Sequence, residues 1–204
     1  MSRVRKPRGK IVRALGANIF GNPKFDRLLE RKPHPPGKPP RWSSRRASEY
    51  GEQLRETRKY RVAYGLGRRQ LKTLYEKARR AGGSTSDTLL VYLEARLSNV
   101  VFRLGWAVSR AQARQLVSHG HIAVNGRILD IPSAVLRPGD FLELRAPEAL
   151  AESARRLARE QAPRLPSWLA REGGGLAARV LSAPAPEEAS VPGRIGKVVE
   201  FFAR

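Results

Sequence analysis

Leu93-Glu-Ala-Arg-Leu-Ser-Asn-Val-Val-Phe-Arg-Leu-Gly105, then Ser109-Arg-Ala-Gln-Ala-Arg-Gln-Leu-Val-Ser-His119, Ile122-Ala-Val-Asn-Gly-Arg-Ile128 and Arg137-Pro-Gly-Asp140 carry the clearest patterning in this 204-residue chain. Leu90, Leu93, Leu97, Val100, Val101 and Leu104 recur with a helical period and predict one core helix that Gly105 ends. Ser109 and Gln112 have capping-box spacing and open a second helix, Arg110 to His119. On it Ala113, Leu116 and Val117 share an apolar face, and Arg110, Arg114 and Ser118 follow at i, i+4 and i+8 along an adjacent one. Asn125-Gly126 between Ile122–Val124 and Arg127–Leu129 is the signal of a type I′ hairpin. The Arg137–Asp140 turn then leads into a strand, Phe141 to Arg145. Helix, helix, hairpin, turn and strand over 90–145 make a small α+β module.

Working outward, helices are predicted at about 47–64 and 68–81. The first has an expected stripe of Tyr50, Leu54 and Thr57; the second has Leu71, Leu74, Tyr75 and Ala78. Gly82-Gly83 stops the second, and Ser84 to Asp87 offers capping side chains to the core helix. Met1 to Lys32 reads as a basic extended arm with one helical turn near Phe25–Glu30, and Pro33 to Pro40 as a semi-rigid extended segment. On the C-terminal side, Pro147 to Gln161 reads as a helix with Leu150, Ala154 and Leu157 inward, ended by Pro163 and Pro166. Gly173–Gly175 and Ser182–Pro192 read as flexible connections, and Val198–Phe202 as an apolar strand or turn.

The chain holds 40 Lys and Arg against 18 Asp and Glu, and residues 1–80 alone hold 24 against 6. A device for solubility would be spread evenly; this excess is concentrated, as for a polyanionic partner. Arg outnumbers Lys 31 to 9, which favours bidentate phosphate contacts and base stacking over attraction to a membrane surface. No apolar stretch approaches the roughly 18 residues of a spanning helix, and the basic Met1–Lys10 lacks the apolar run of a secretory signal. The chain therefore reads as soluble and intracellular.

Enzyme chemistry finds little support. There is no Cys, which removes cysteine nucleophiles, disulfides and thiolate zinc sites together. Of the three His residues, His119 and His121 have no acidic partner at ligand spacing, so stacking or hydrogen bonding to a nucleotide suits His119 better than a metal. Neither a G-x-S-x-G nucleophile nor a phosphate-binding P-loop motif is present. The helix pair at 86–119 also fits a DNA-reading helix-turn-helix, but the hairpin behind it and the remote charge favour a broad RNA surface.

The stretch quoted at the outset resembles the RNA-binding module named after ribosomal protein S4, which also occurs in pseudouridine synthases, some tRNA synthetases and a small heat-shock protein. The flanks are more specific. Tyr50-Gly-Glu-Gln-Leu-Arg55, Tyr64-Gly65 with Arg69-Gln70, Pro166-Ser-Trp-Leu169 and Val198-Val-Glu-Phe-Phe-Ala-Arg204 resemble the bacterial-type S4 family over nearly the whole chain. The resemblance implies an α+β architecture: an N-terminal all-helical domain completed by the C-terminal segment, with an inserted module of helices on a small, mainly antiparallel sheet. The corresponding divisions are 1–45 for the arm, 46–92 with 197–204 for the helical domain, and 93–196 for the module and its extension.

It further implies a structural, non-catalytic constituent of the cytoplasmic small (30S) subunit, with no cofactor, that binds 16S rRNA and nucleates assembly. Contacts with ribosomal protein S5, an influence on decoding accuracy and a place at the mRNA entry, near Lys38, Arg41, Arg45 and Arg46, are implied as well. Many relatives carry N-terminal zinc-binding cysteines; with none here, the arm is left to RNA and packing. Charge and motif together nominate Arg55, Arg58, Lys59, Arg61, Arg68, Arg69 and Gln70 for one RNA segment. Arg110, Arg114, Gln115, Ser118, His119, Asn125 and Arg127 would read the shape of a second.

Overall fold

The computed structural model describes residues 7–37, 48–160 and 165–204. Two compact units are formed by the described residues of Met1–Leu89 with Ser190–Arg204, and by those of Leu90–Ala189.

In the first unit, α1 spans Arg8–Leu15 and α2 spans Pro23–Arg31, where one helical turn was expected. Gly16 closes α1 in the left-handed conformation at φ 67°, a position that suits glycine. The Asn22 side chain caps α2 by accepting from the Lys24 N–H, with Pro23 in the first turn. Helices this short have little stability of their own, and they form here because Val12, Leu15 and Ile19 bury themselves in the unit.

Helix α3 spans Glu49–Ala63, opened by Ser48, whose hydroxyl accepts from the Gly51 N–H. Its buried stripe is Gln53, Thr57, Tyr60 and Ala63, which keeps Thr57 of the expected residues, while Leu54 is half-buried and Tyr50 is 52% exposed. The polar members of the stripe are partly paired, and the Gln53 side-chain oxygen is buried without a hydrogen-bond partner. The Thr57 hydroxyl donates to the Gln53 carbonyl (2.8 Å), and the Gln53 amide donates to Glu200 (3.1 Å) and Glu49 (3.3 Å). Helix α4, Arg68–Arg80, buries the expected Leu71, Leu74, Tyr75 and Ala78.

Helices α5 (Thr85–Glu94) and α6 (Leu97–Arg103) take the place of the single core helix. The chain is extended at Arg96, where the Leu97 N–H donates to the Ala134 carbonyl (2.8 Å) and the Leu136 N–H to the Ala95 carbonyl (2.9 Å). The apolar period runs through the break because both helices face inward. Helix α7 is Arg110–Ser118, capped by the Ser109 hydroxyl, and the Gln112 side chain reaches back to the Val108 N–H rather than to that of Ser109.

Strands β1 (Ile122–Val124) and β2 (Arg127–Ile128) form the hairpin, with Asn125 and Gly126 both at positive φ (51° and 81°), as a type I′ turn requires. Strand β3 (Phe141–Leu144) pairs with β1, setting Ile122 opposite Leu144. Helix α8, Glu148–Glu160, buries Ala151, Ala154 and Ala158, so alanines make the stripe and Leu150 is exposed; the expected stop at Pro163 lies outside the described residues. Strands β4 (Leu169–Glu172) and β5 (Ala177–Val180) complete an antiparallel sheet of order β2-β1-β3-β5-β4.

The connections read as flexible are built parts of this unit. Gly173–Gly175 is a 3-10 turn between β4 and β5. A second 3-10 turn, Pro186–Glu188, is held where the Ser167 N–H donates to the Glu188 carboxylate (3.1 Å) and Arg103 to the Glu188 carbonyl (2.7 Å). Leu97, Val101, Trp106, Val117, Ile122, Leu142 and Trp168 are among the residues of the core. Arg171 braces it, donating to the carbonyls of Leu104 (3.0 Å) and Ala158 (2.6 Å) and so satisfying groups at two helix ends.

Helix α9, Ile195–Ala203, returns to the first unit and lies along α3; it is neither strand nor turn. Val-Val-Glu-Phe-Phe has strand-forming composition, but Val198 and Phe201, three apart, are the residues α9 buries, and tertiary packing overrides the local preference. The Arg194 N–H donates to Glu56 (2.9 Å), and at Gly193 an added Cβ would lie 2.7 Å from a Glu56 oxygen and 3.1 Å from the Tyr60 ring. Gly193→Ala is therefore expected to lower thermal stability by about 1–3 kcal/mol through overpacking. An unchanged melting temperature would show that this close approach is not needed.

Candidate nucleic-acid interface

On α3, Arg55 and Arg58 are exposed, three residues apart on the side away from the buried stripe. Arg68, Arg69 and Gln70 are exposed in the first turn of α4, where the backbone already carries partial positive charge. The half-buried Arg61 joins them. Burial lowers its pKa, and the charges of Arg58 and Arg68 lower it further, so the three guanidiniums form one cluster. The Arg61 Nε is buried without a hydrogen-bond partner. Such a concentration of like charge is relieved by a bound anion.

Not every nominated side chain points outward for a ligand. The Lys59 ammonium is 2.6 Å from Glu56 in a largely buried ion pair. The Gln70 carbonyl accepts from the Gly67 N–H (3.0 Å) and caps α4. Conversely, Lys72, Lys77, Arg79 and Arg80 extend the exposed cationic surface along α4. The signal for them was in the sequence: Lys72 and Lys77 fall between the apolar positions 71, 74, 75 and 78, and Arg79 and Arg80 follow the last of these.

In the second unit, α7 presents Gln115, Ser118 and His119 to solvent, with Arg110 and Arg114 half-exposed beside them. The Arg110 Nε donates to the Asn99 side-chain oxygen (2.8 Å), and its guanidinium lies 4.5 Å from the Phe102 ring centre. Near Arg114 sits a residue that charge counting alone did not select. Arg96 is only 7% exposed, its Nε has no partner, and burial followed by the Arg114 charge pushes its pKa down to about 10. The His119 and His121 rings are 6.2 Å apart. Among the described residues, no group of three or more His, Asp and Glu side chains is placed to hold a metal ion.

The hairpin divides its two nominated residues. Arg127 is exposed on the edge strand β2. Asn125 locks the turn to β3: its amide donates to Asp140 (2.8 Å), and its carbonyl accepts from the Phe141 N–H (2.9 Å). Lys38, Arg41, Arg45 and Arg46 lie outside the described residues. No helix among the described residues is long and apolar enough to cross a membrane.

Residues 95–142, which include α6, α7 and the type I′ hairpin, match the model of the S4 domain. Residues 3–94 match the Ribosomal protein S4/S9 N-terminal domain. The chain is 40% identical over 202 residues to the small ribosomal subunit protein uS4 of Treponema denticola, covering 98% of each. It is 41% identical to that of Treponema pallidum over 202 residues, 98% of this chain and 99% of the relative. With the uS4 of Borrelia duttonii it shares 38% over 206 residues, 100% of this chain and 99% of the relative. The chain belongs to the small ribosomal subunit protein uS4 family, which is structural rather than enzymatic.

Proposed function

We propose that this chain is a primary 16S rRNA-binding constituent of the small subunit, taking hold of the 5′ domain early and nucleating assembly of the subunit body. The observation that carries this reading is the cationic cluster of Arg58, Arg61 and Arg68, flanked by exposed Arg55 and Arg69. Strength comes from these phosphate contacts, and specificity from the shape of a folded RNA gripped at several points. On α7, Arg110, Arg114, Gln115, Ser118 and His119 take a second RNA segment, with Arg127 beside them on β2. In this reading residues 1–45 are an arm held by RNA and by packing, while 46–92 with 197–204 and 93–196 are the two binding parts. Family membership extends the proposal to decoding accuracy, a contact with ribosomal protein S5, and mRNA entry at Lys38, Arg41, Arg45 and Arg46.

Lysate fractionated on a sucrose gradient and probed for this chain tests the assignment directly. Cosedimentation with 30S particles is expected, and a chain found mostly free would defeat it. A second test concerns α7. Arg114→Glu is expected to weaken binding to a 16S 5′-domain fragment at least about tenfold, since it reverses a charge facing phosphate. Its melting temperature should stay close to that of the parent, because the new carboxylate faces the buried Arg96 charge. A matching loss of folding would make Arg114 a structural residue instead.

A further inference from the structure

We infer that Phe201, on the last helix of the chain, is a positioning residue for RNA recognition: its ring holds the Arg68 guanidinium near Arg61, so that the cationic cluster is assembled before RNA arrives. The inference rests on the RNA-binding reading above and adds to it an aromatic side chain that acts through Arg68 rather than on the ligand.

Like charges repel, and an exposed arginine in the first turn of α4 can swing out into water. Arg68 nevertheless stands close enough to Arg61 for its charge, with that of Arg58, to lower the Arg61 pKa. Among the described residues, the directed partner of its guanidinium is aromatic: the guanidinium carbon lies 5.6 Å from the centre of the Phe201 ring. That ring is itself fixed. Phe201 is buried by α9, and its ring centre is 5.2 Å from that of Phe202 and 5.9 Å from that of Tyr50 on α3. Phe202 in turn stacks on Tyr75 of α4 at 5.5 Å, so the support for Arg68 is braced from both α3 and α4.

A ring is a support of a particular kind. Attraction between a cation and a π face uses none of the guanidinium N–H donors, which stay available to the oxygens of a phosphate. A carboxylate in the same place would take those donors and offset the charge. An arginine is among the side chains that lose most rotamer freedom when ordered, so one held in advance binds more tightly than one that RNA must immobilise. Leucine at position 201 would still bury an apolar side chain against α3, but it has no π face to offer. The aromatic character of Phe201 thus has a use beyond packing, and it couples the end of the chain to the cluster on α3 and α4.

The test is a double-mutant cycle on the full chain, read as affinity for a 16S 5′-domain fragment across a salt series. Arg68→Ala is expected to weaken binding about tenfold and to reduce the salt slope by about one. Phe201→Leu is expected to weaken binding about threefold in the parent background, with the slope unchanged because the phosphate contact still forms. Once Arg68 is alanine, Phe201→Leu should have no further effect. Equal effects of Phe201→Leu in both backgrounds, or none in either, would overturn the inference. A proton NMR measurement on the parent chain reports even where Phe201→Leu fails to fold. A guanidinium over a ring face is shielded, so the Arg68 Nε proton, identified by its loss in Arg68→Ala, is expected upfield of that of the exposed Arg55; an unshielded Arg68 would overturn the inference by itself. A parent chain that does not bind the RNA at low salt overturns the functional reading, whereas binding without the coupling overturns only the role of Phe201.

Discussion

Affinity of the full chain for a 16S 5′-domain fragment is expected to fall on the order of a thousandfold between about 50 and 200 mM salt. The estimate takes about six phosphate contacts, the number nominated on α3 and α4: Arg55, Arg58, Lys59, Arg61, Arg68 and Arg69. Each displaces a condensed counterion, and the logarithm of the affinity then falls in proportion to their number. Lys59 is the weakest member, because its ion pair with Glu56 must open before it can serve a phosphate. The additional exposed cations on α4 compensate for its loss, so the steep slope does not depend on any one side chain. A nearly flat salt dependence would mean that this cationic surface is not where RNA binds.

Trp106→Ala is expected to destabilise the second unit by about 3–5 kcal/mol. The side chain is almost fully buried among the residues of the core, so truncation leaves a large cavity. It also breaks the hydrogen bond from the indole N–H to the Gly175 carbonyl (2.6 Å), which ties the β4–β5 connection to the core. For a unit of this size the loss corresponds to a drop of at least about 10 °C in melting temperature. Trp106→Phe keeps most of the apolar volume and removes the donor, so a smaller loss of about 1–3 kcal/mol is expected. A calorimetric transition within a few degrees of the parent for Trp106→Ala would refute this account of the core.

The sequence was most legible where one residue type has a single structural use. Asn125-Gly126 announces a turn with two positive φ angles, and the unit has one there. Leu71, Leu74, Tyr75 and Ala78 are spaced for one helical face and occupy it. It was least legible where polar or small residues do the packing. The α3 stripe was hidden at Gln53, whose amide is partnered by Glu200, 147 residues away. Strands β4 and β5, Leu-Ala-Arg-Glu and Ala-Ala-Arg-Val, have weak β preference and exist because β3 provides a ladder. The break at Arg96 was hidden because the apolar period continues across it.

At the interface, counting charges found Arg55, Arg58, Arg68 and Arg69 correctly as exposed cations. It could not tell that Asn125 has a partner of its own, since Asp140 becomes its neighbour only in the folded unit, and it passed over Glu56, which pairs with Lys59 three residues along the same helix. Nor could it find Arg96, a cation made unusual by burial and by the charge of Arg114.

The Arg194–Glu56 hydrogen bond joins positions 138 residues apart. At about 5–20 residues per second, translation takes on the order of ten seconds to travel that distance. By the end of this interval every strand of the intervening sheet has been synthesised, while the nascent α3 still has no α9 to pack against. The vectorial order of synthesis thus favours maturation of the middle of the polypeptide before its beginning.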